Sequence, residues 1–310
     1  MTGPRGRALI CSFGLVLACA AAPVPGPVPP VVTGGICRFG PARAGPVLGD
    51  PDLIELSGLV ASRANPGVLY AHNDSGDTAR FFAMDTEARP LGRFELEGAK
   101  AVDWEDMTIG PCPSGTCLFL GDIGDNRRVR SDYAIYRVQE PQVAVGSPVG
   151  TVKVGYERFG FEYPGGEKYN AETLFAHPVS GELYLAVKQS AGAPSVVFKF
   201  PQPMDSSKTA VLIKVAELTI PQPTDQPLTG GSLSPDGTAL LLRMYNRLVQ
   251  LKVPPEAPFE QIFAATPLNM PVSAEQQGEA VAWRFDGRGY FTASEEVGVK
   301  STLNRVECLP

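Results

Sequence analysis

The sequence predicts an all-β chain closed into a five-bladed β-propeller, and three observations lead there. With 33 glycines and 30 prolines among 310 residues, 44% of them hydrophobic, the composition favours many short strands and turns over long helices. One turn-plus-strand pattern recurs five times: RANPGVLYA from Arg63, CPSGTCLFL from Cys112, HPVSGELYL from His177, SPDGTALLL from Ser234 and FDGRGYFTA from Phe285. Each copy follows a second short strand (SGLVAS, EDMTIG, AETLFA, GSLSPD, EAVAWR). Further apolar runs come after, such as ARFFAMD with LGRFELE and YAIYRVQ with TVKVGYERFGF. Four strands per unit make a blade.

Taken in order, the chain opens with Arg5 and Arg7 ahead of the apolar run ALICSFGLVLACA, too short to span a bilayer and built like a secretory leader. Val16-Leu17-Ala18-Cys19 has the form of a bacterial lipobox, so the expectation is a leader over 1–18 and lipidation at Cys19; plain cleavage near Ala22 is the alternative. The Pro-rich stretch 19–34 then reads as a stiff tether, and 35–310 as a single propeller domain in an exported protein, a monomer held to the membrane only by its lipid. Losing the first eighteen residues removes two arginines and no acids, moving the formal charge from −6 to −8. So acidic a chain excludes nucleic acid as a partner.

The blades are expected to begin near residues 55, 103, 170, 229 and 277. The last runs out of chain before its fourth strand, which GICRFGPA near Cys37 can supply, mixing the two termini in one blade. Cys112 and Cys117 flank a short turn and are paired, leaving Cys37 with Cys308 across the closure. A zinc site from these cysteines lacks the doubled spacing such sites use. The competing fold is a β-sandwich of similar hairpins, and six blades is a weaker variant of the first.

Stacking the five units on their hydrophobic pattern puts Ser57, Glu105, Glu172, Ser232 and Glu279 in one column. In a propeller, equivalent positions of the first strands converge on the central channel. At about 5 Å and an effective dielectric of about 20, each pair of the three carboxylates would repel by roughly 3 kcal/mol, so a neutralising partner is expected. Calcium, which accepts six to eight oxygens in loose geometry, fits better than magnesium. The alternative is that the glutamates protonate or bond backbone amides.

This column, with spacings of 48, 67, 60 and 47 residues, resembles the calcium-binding ring of the calcium-activated nucleotidase (apyrase) family. The resemblance runs from about Glu55 to Val306 and is carried by ELSGL, DWEDM, NAETL, TGGSL and GEAVA. It implies a five-bladed propeller that hydrolyses nucleoside diphosphates at the channel mouth, with calcium held by those five residues. The chain is also similar to bacterial exported propellers carrying HNDSG, DWED and GDIGDN, a resemblance that implies a fold and no reaction.

The second strands end near HNDSG, GDIGDN, VKQS, RMYNR and SEE, so Asn73, Asp74, Asp122, Asp125, Asn126, Lys188, Arg243 and Glu295 should surround one mouth. Lys188 and Arg243 are candidates to hold an anionic small molecule, and Asp74 or Asp122 to orient water. With only His72 and His177, a three-histidine zinc site is excluded, and the sequence holds no G-x-S-x-G, Walker or H-E-x-x-H motif. Three functions stay open: a calcium-dependent hydrolase of a phosphorylated or other anionic molecule, a non-catalytic binding propeller with structural calcium, and a lactonase- or esterase-like metal hydrolase.

Overall fold

The computed structural model describes residues 1, 37–189, 193–220, 227–295 and 301–309. The proposed leader, Cys19 and the tether lie outside these residues. Five antiparallel sheets stand in a ring, their innermost strands being Leu56–Ala61, Trp104–Cys112, Ala171–Ala176, Leu228–Leu233 and Gly278–Trp283. Each packs against the next and the fifth against the first, which closes the circle. The blade starts fall within a residue or so of those expected.

Blade five is completed by Arg38–Phe39, which lies antiparallel to Asn304–Leu309 with Phe39 opposite Cys308. The Cys37–Cys308 disulfide pins this seam, where an open sheet edge would otherwise fray. Cys112–Cys117 closes the hairpin of blade two, its Cα atoms 5.8 Å apart. Two disulfides mark the protein as extracytoplasmic.

The run TVKVGYERFGF is divided between blades. Glu157–Glu162 forms the fourth strand of blade two, whereas Thr151–Val154 crosses over and lies parallel to the outer strand of blade one, Pro90–Leu96. Ala210–Val211 likewise adds a parallel strand to blade two from the blade-three segment. The straps lengthen the outer edges without disturbing the inner ring.

Between blades the core is apolar and aromatic. Blades one and two bury Tyr70, Phe81, Phe94, Trp104 and Tyr136 together, and blades two and three bury Tyr133, Phe161, Tyr163 and Phe198. Burying a large side chain is worth about 2 kcal/mol, so these wedges hold the ring rigid around whatever its centre carries.

Candidate metal centre at the channel mouth

Every inner strand opens with a β-bulge. Pairing with the second strand breaks between Leu56 and Gly58, Trp104 and Met107, Ala171 and Thr173, Leu228 and Gly230, and Gly278 and Ala280. A bulge frees a residue from the ladder and re-aims its side chain, so one end of the channel receives Ser57, Glu105, Glu172, Thr229 and Glu279. The fourth position is therefore Thr229, a correction to the expected Ser232. Ser232 sits three residues further along its strand, where its Oγ accepts the backbone N–H of Trp283 at 3.0 Å.

The hydroxyl members of the column are latches between neighbouring blades. Ser57 Oγ donates to the carbonyl of Glu105, and Thr229 Oγ1 donates to the carbonyl of Gly278 at 2.8 Å. Thr108 Oγ1 accepts from Ala176 N at 3.0 Å. The fully buried Asp106 reaches furthest, its Oδ2 accepting Leu174 N of blade three at 2.9 Å and Gly231 N of blade four at 3.1 Å. Inner strands of different blades share no backbone ladder, and these side chains take its place. Ser57 and Ser232, expected as metal ligands, each make one such contact between blades.

The carboxylates differ. Ligand-capable oxygens of Asp74, Asp103 and Glu105 all lie within 4.8 Å of one another, with Asp74 and Asp103 half-buried and Glu105 buried. Asp74 follows the second strand of blade one, anchored by its N–H to Glu55 O at 2.8 Å. Asp103 precedes Trp104, and its carbonyl accepts Ile123 and Gly124 N–H groups of the GDIGDN turn. Gly124 explains part of that motif: a Cβ there would lie 2.2 Å from Glu105 Oε1 and 2.6 Å from Asp103 Oδ2. Only glycine lets the two acids rest against the backbone.

Glu172 and Glu279, 3% and 4% exposed, complete the basin, with Glu295 beside Glu279. Among the described residues, one ammonium lies between them. Lys188 Nζ is 2.5 Å from Glu172 Oε2 and 5.2 Å from the centre of the Tyr245 ring. Asn170 donates to Glu172 Oε1 at 3.0 Å and accepts Asp125 N at 2.6 Å, joining the basin to the GDIGDN turn.

Burial and mutual repulsion push the acids upward. Asp74 and Asp103 are each raised to about 6, chiefly by burial and then by neighbouring acids. Glu172 reaches about 7 because burial outweighs Lys188. Glu279 reaches about 9 through burial and then the charge of Glu172, and Glu105 is driven well above the carboxylate range by burial, Glu172 and Asp74. Burial alone would lower Lys188, but Glu172 and Glu279 together raise it, so it stays charged. Among the described residues, carboxylates outnumber the cations around the basin, and a donor set made entirely of oxygen atoms suits a hard divalent cation and offers nothing to a thiophilic one.

Most of the remaining expected site residues are engaged in holding the loops around the basin. Arg243 is fully buried, with Nη2 2.6 Å from Glu275 Oε2 and 3.0 Å from Tyr245 O, so the anion-holding role expected of it has no exposed group to serve it. Asp122 is buried, its Oδ1 in an ion pair with Arg130 at 2.6 Å and accepting Asp103 N at 3.0 Å, with Val102 N at 3.4 Å from Oδ2; it holds the loop. Asp125 accepts Val129 N, Arg130 N and Tyr133 OH. Asn73 ties Ile54, Glu55, Asp52 and Asp77, while Asn126 accepts from Asn170 at 3.2 Å. Glu295, like Asp74 and Lys188, stays at the mouth, where Gln277 donates to it. His72 is buried edge-on against Trp104, Nδ1 at 2.8 Å from Asn73 O. Asp103, Asn170 and Tyr245 are additions to the expected set, and the DWED, NAET and RMYN segments were their only signal.

No protein-family model matches the chain, and neither does the sequence of any curated protein. Among solved structures it is similar to the PQQ-bound aldose sugar dehydrogenase of Streptomyces coelicolor, with 13% identity, 87% of this chain and 98% of that one covered, and a TM-score of 0.48. It is also similar to the hydrazine synthase of Kuenenia stuttgartiensis, with 10% identity, 77% and 68% covered, and a TM-score of 0.41. Neither likeness bears on the chemistry of the mouth.

Proposed function

We propose that the protein is an exported calcium-binding propeller whose acidic channel mouth holds the ion, and that a small molecule bearing phosphate or other anionic oxygens is recruited there and hydrolysed. The observation that carries this reading is the trio Asp74, Asp103 and Glu105, brought within 4.8 Å from two blades, open to solvent on one side and cradled at Gly124. Oxygen ligands of this kind match calcium, and the half-exposure of two of them leaves room for water and a ligand.

A bound cation would supply charge neutralisation and polarisation of a ligand oxygen. The chain's own groups supply the rest. Glu279, pushed up to about 9 by burial and then by the charge of Glu172, favours its protonated form and is the candidate to protonate a leaving oxygen. Asp74, near 6, is largely ionised and can take a proton from water when it is not engaged by the ion. Gln277, donating to Glu295, and Asn170, donating to Glu172, fix the carboxyl orientations.

A second reading, a binding module without catalysis, draws on two arginines: the buried Arg243 and the partly buried Arg130 are paired with Glu275 and Asp122, so neither is free to hold a phosphoryl group. The two are separated by incubating the protein with nucleotides, sugar phosphates, phosphate esters and lactones, with calcium or with chelator. Calcium-dependent release of phosphate, alcohol or acid from any of them supports the hydrolase; inactivity across the panel with calcium bound supports the binding module.

A further inference from the structure

We infer that Lys188 is a tethered counter-ion that occupies part of the calcium basin and sets the affinity of the mouth for divalent cations, rather than serving as a handle for an anionic ligand. The inference rests on the calcium reading above and deepens it.

The geometry is specific. The ammonium does not point to solvent: the side chain is 20% exposed, Nζ lies 2.5 Å from Glu172 Oε2, and the Tyr245 ring lies 5.2 Å beneath it. Its backbone is fixed as well, since Lys188 N donates to Asn170 O at 2.8 Å, the residue whose side chain orients Glu172. The acids it faces come from several blades: Glu172 from blade three, Glu279 and Glu295 from blade five, Asp74 from blade one and Glu105 from blade two. A ligand-binding lysine should be free to reach outward; this one is consumed by a carboxylate. Without it the Glu172 carboxylate would lie buried with no cation beside it, so Lys188 favours the fold before any ion arrives. The same charge repels an incoming divalent cation.

Removing it should therefore tighten calcium binding and weaken the calcium-free fold. Repulsion between a single and a double charge a few ångströms apart, even well screened, is worth at least about a tenfold change in Kd. Chelator-treated wild type and Lys188→Met are titrated calorimetrically with calcium chloride at fixed ionic strength, and their melting temperatures are read with and without calcium. The expected result is a Kd at least about tenfold lower in Lys188→Met. Its melting temperature should fall below wild type in chelator and recover on adding calcium. Should Lys188→Met not fold without calcium, Glu172→Gln is compared with Glu172→Gln/Lys188→Met, which also sheds the acid partner; the double variant should bind more tightly than the single. Equal or weaker binding after loss of Lys188 overturns the inference and leaves the calcium reading standing. Absence of binding in wild type and variants alike removes both, whereas binding that appears only once Lys188 is gone supports the inference.

Discussion

Asp106→Ala should unlatch the inner ring. The side chain carries three acceptor contacts, from its neighbour Met107 N at 2.8 Å, from Leu174 N in blade three and from Gly231 N in blade four. Alanine strands the two amides of other blades in a region where Asp106 is 1% exposed and water cannot replace the carboxylate. At roughly 1–3 kcal/mol for each orphaned buried donor, the loss is about 4 kcal/mol, a large part of a typical domain's stability. Asp106→Asn separates geometry from charge. Burial raises the Asp106 carboxyl well above its ordinary range despite the three amides, so its negative charge gains little from the site. An asparagine of the same shape keeps an acceptor for Leu174 and Gly231 and should lose less than half as much, about 1–2 kcal/mol. Urea denaturation at equilibrium, at one calcium concentration, measures both. An Asp106→Ala protein within about 1 kcal/mol of wild type, or an asparagine variant as damaged as the alanine one, would refute the latch argument.

Other outcomes follow from the same contacts. Gly124→Ala puts a methyl group against the Glu105 and Asp103 carboxylates and should weaken calcium binding by about ten- to a hundredfold while costing only about 1–3 kcal/mol of stability, read by calorimetry and denaturation. Cys308→Ser opens a loop of 271 residues and should cost up to about 5 kcal/mol, with Cys37→Ser giving the same loss and the double variant no more. Asp74, Asp103, Glu172 and Glu279 keep their protons in the fold to about 6, 6, 7 and 9, above their ordinary values, so the folded state binds more protons than the unfolded one in that window. Calcium-free stability should then fall as pH rises from about 4 to about 9, and saturating calcium should flatten the slope; urea midpoints rising over that range would contradict it.

The sequence discloses the ring more readily than the chemistry inside it. Turn-plus-strand units are local signals, so five blades, the closing strand at Arg38 and both disulfides can be read from spacing. The crossover of Thr151–Val154 to blade one cannot, because an apolar alternating run looks the same whichever sheet receives it. TGGS holds two hydroxyls, and only the bulge between Leu228 and Gly230 decides that Thr229 shares the column with the glutamates. Arg243 read as a rim cation because its strand ends at the mouth. What buries it is the closeness of Gly278, where a Cβ would sit 1.5 Å from Nη2, and the partner Glu275 thirty-two residues away. Asp103 was visible as a letter beside Glu105, yet its role depends on Gly124 folding back against both.

The acids gathered by the bulged strands are expected to bind a divalent cation as a set. Calorimetric titration of chelator-treated protein with calcium, alongside Glu105→Gln and Asp103→Asn, tests this. One site per chain is expected in wild type, weakened by about tenfold or more in each variant while both stay folded. Absence of calcium binding in wild type, or binding that both variants leave unchanged, would contradict it.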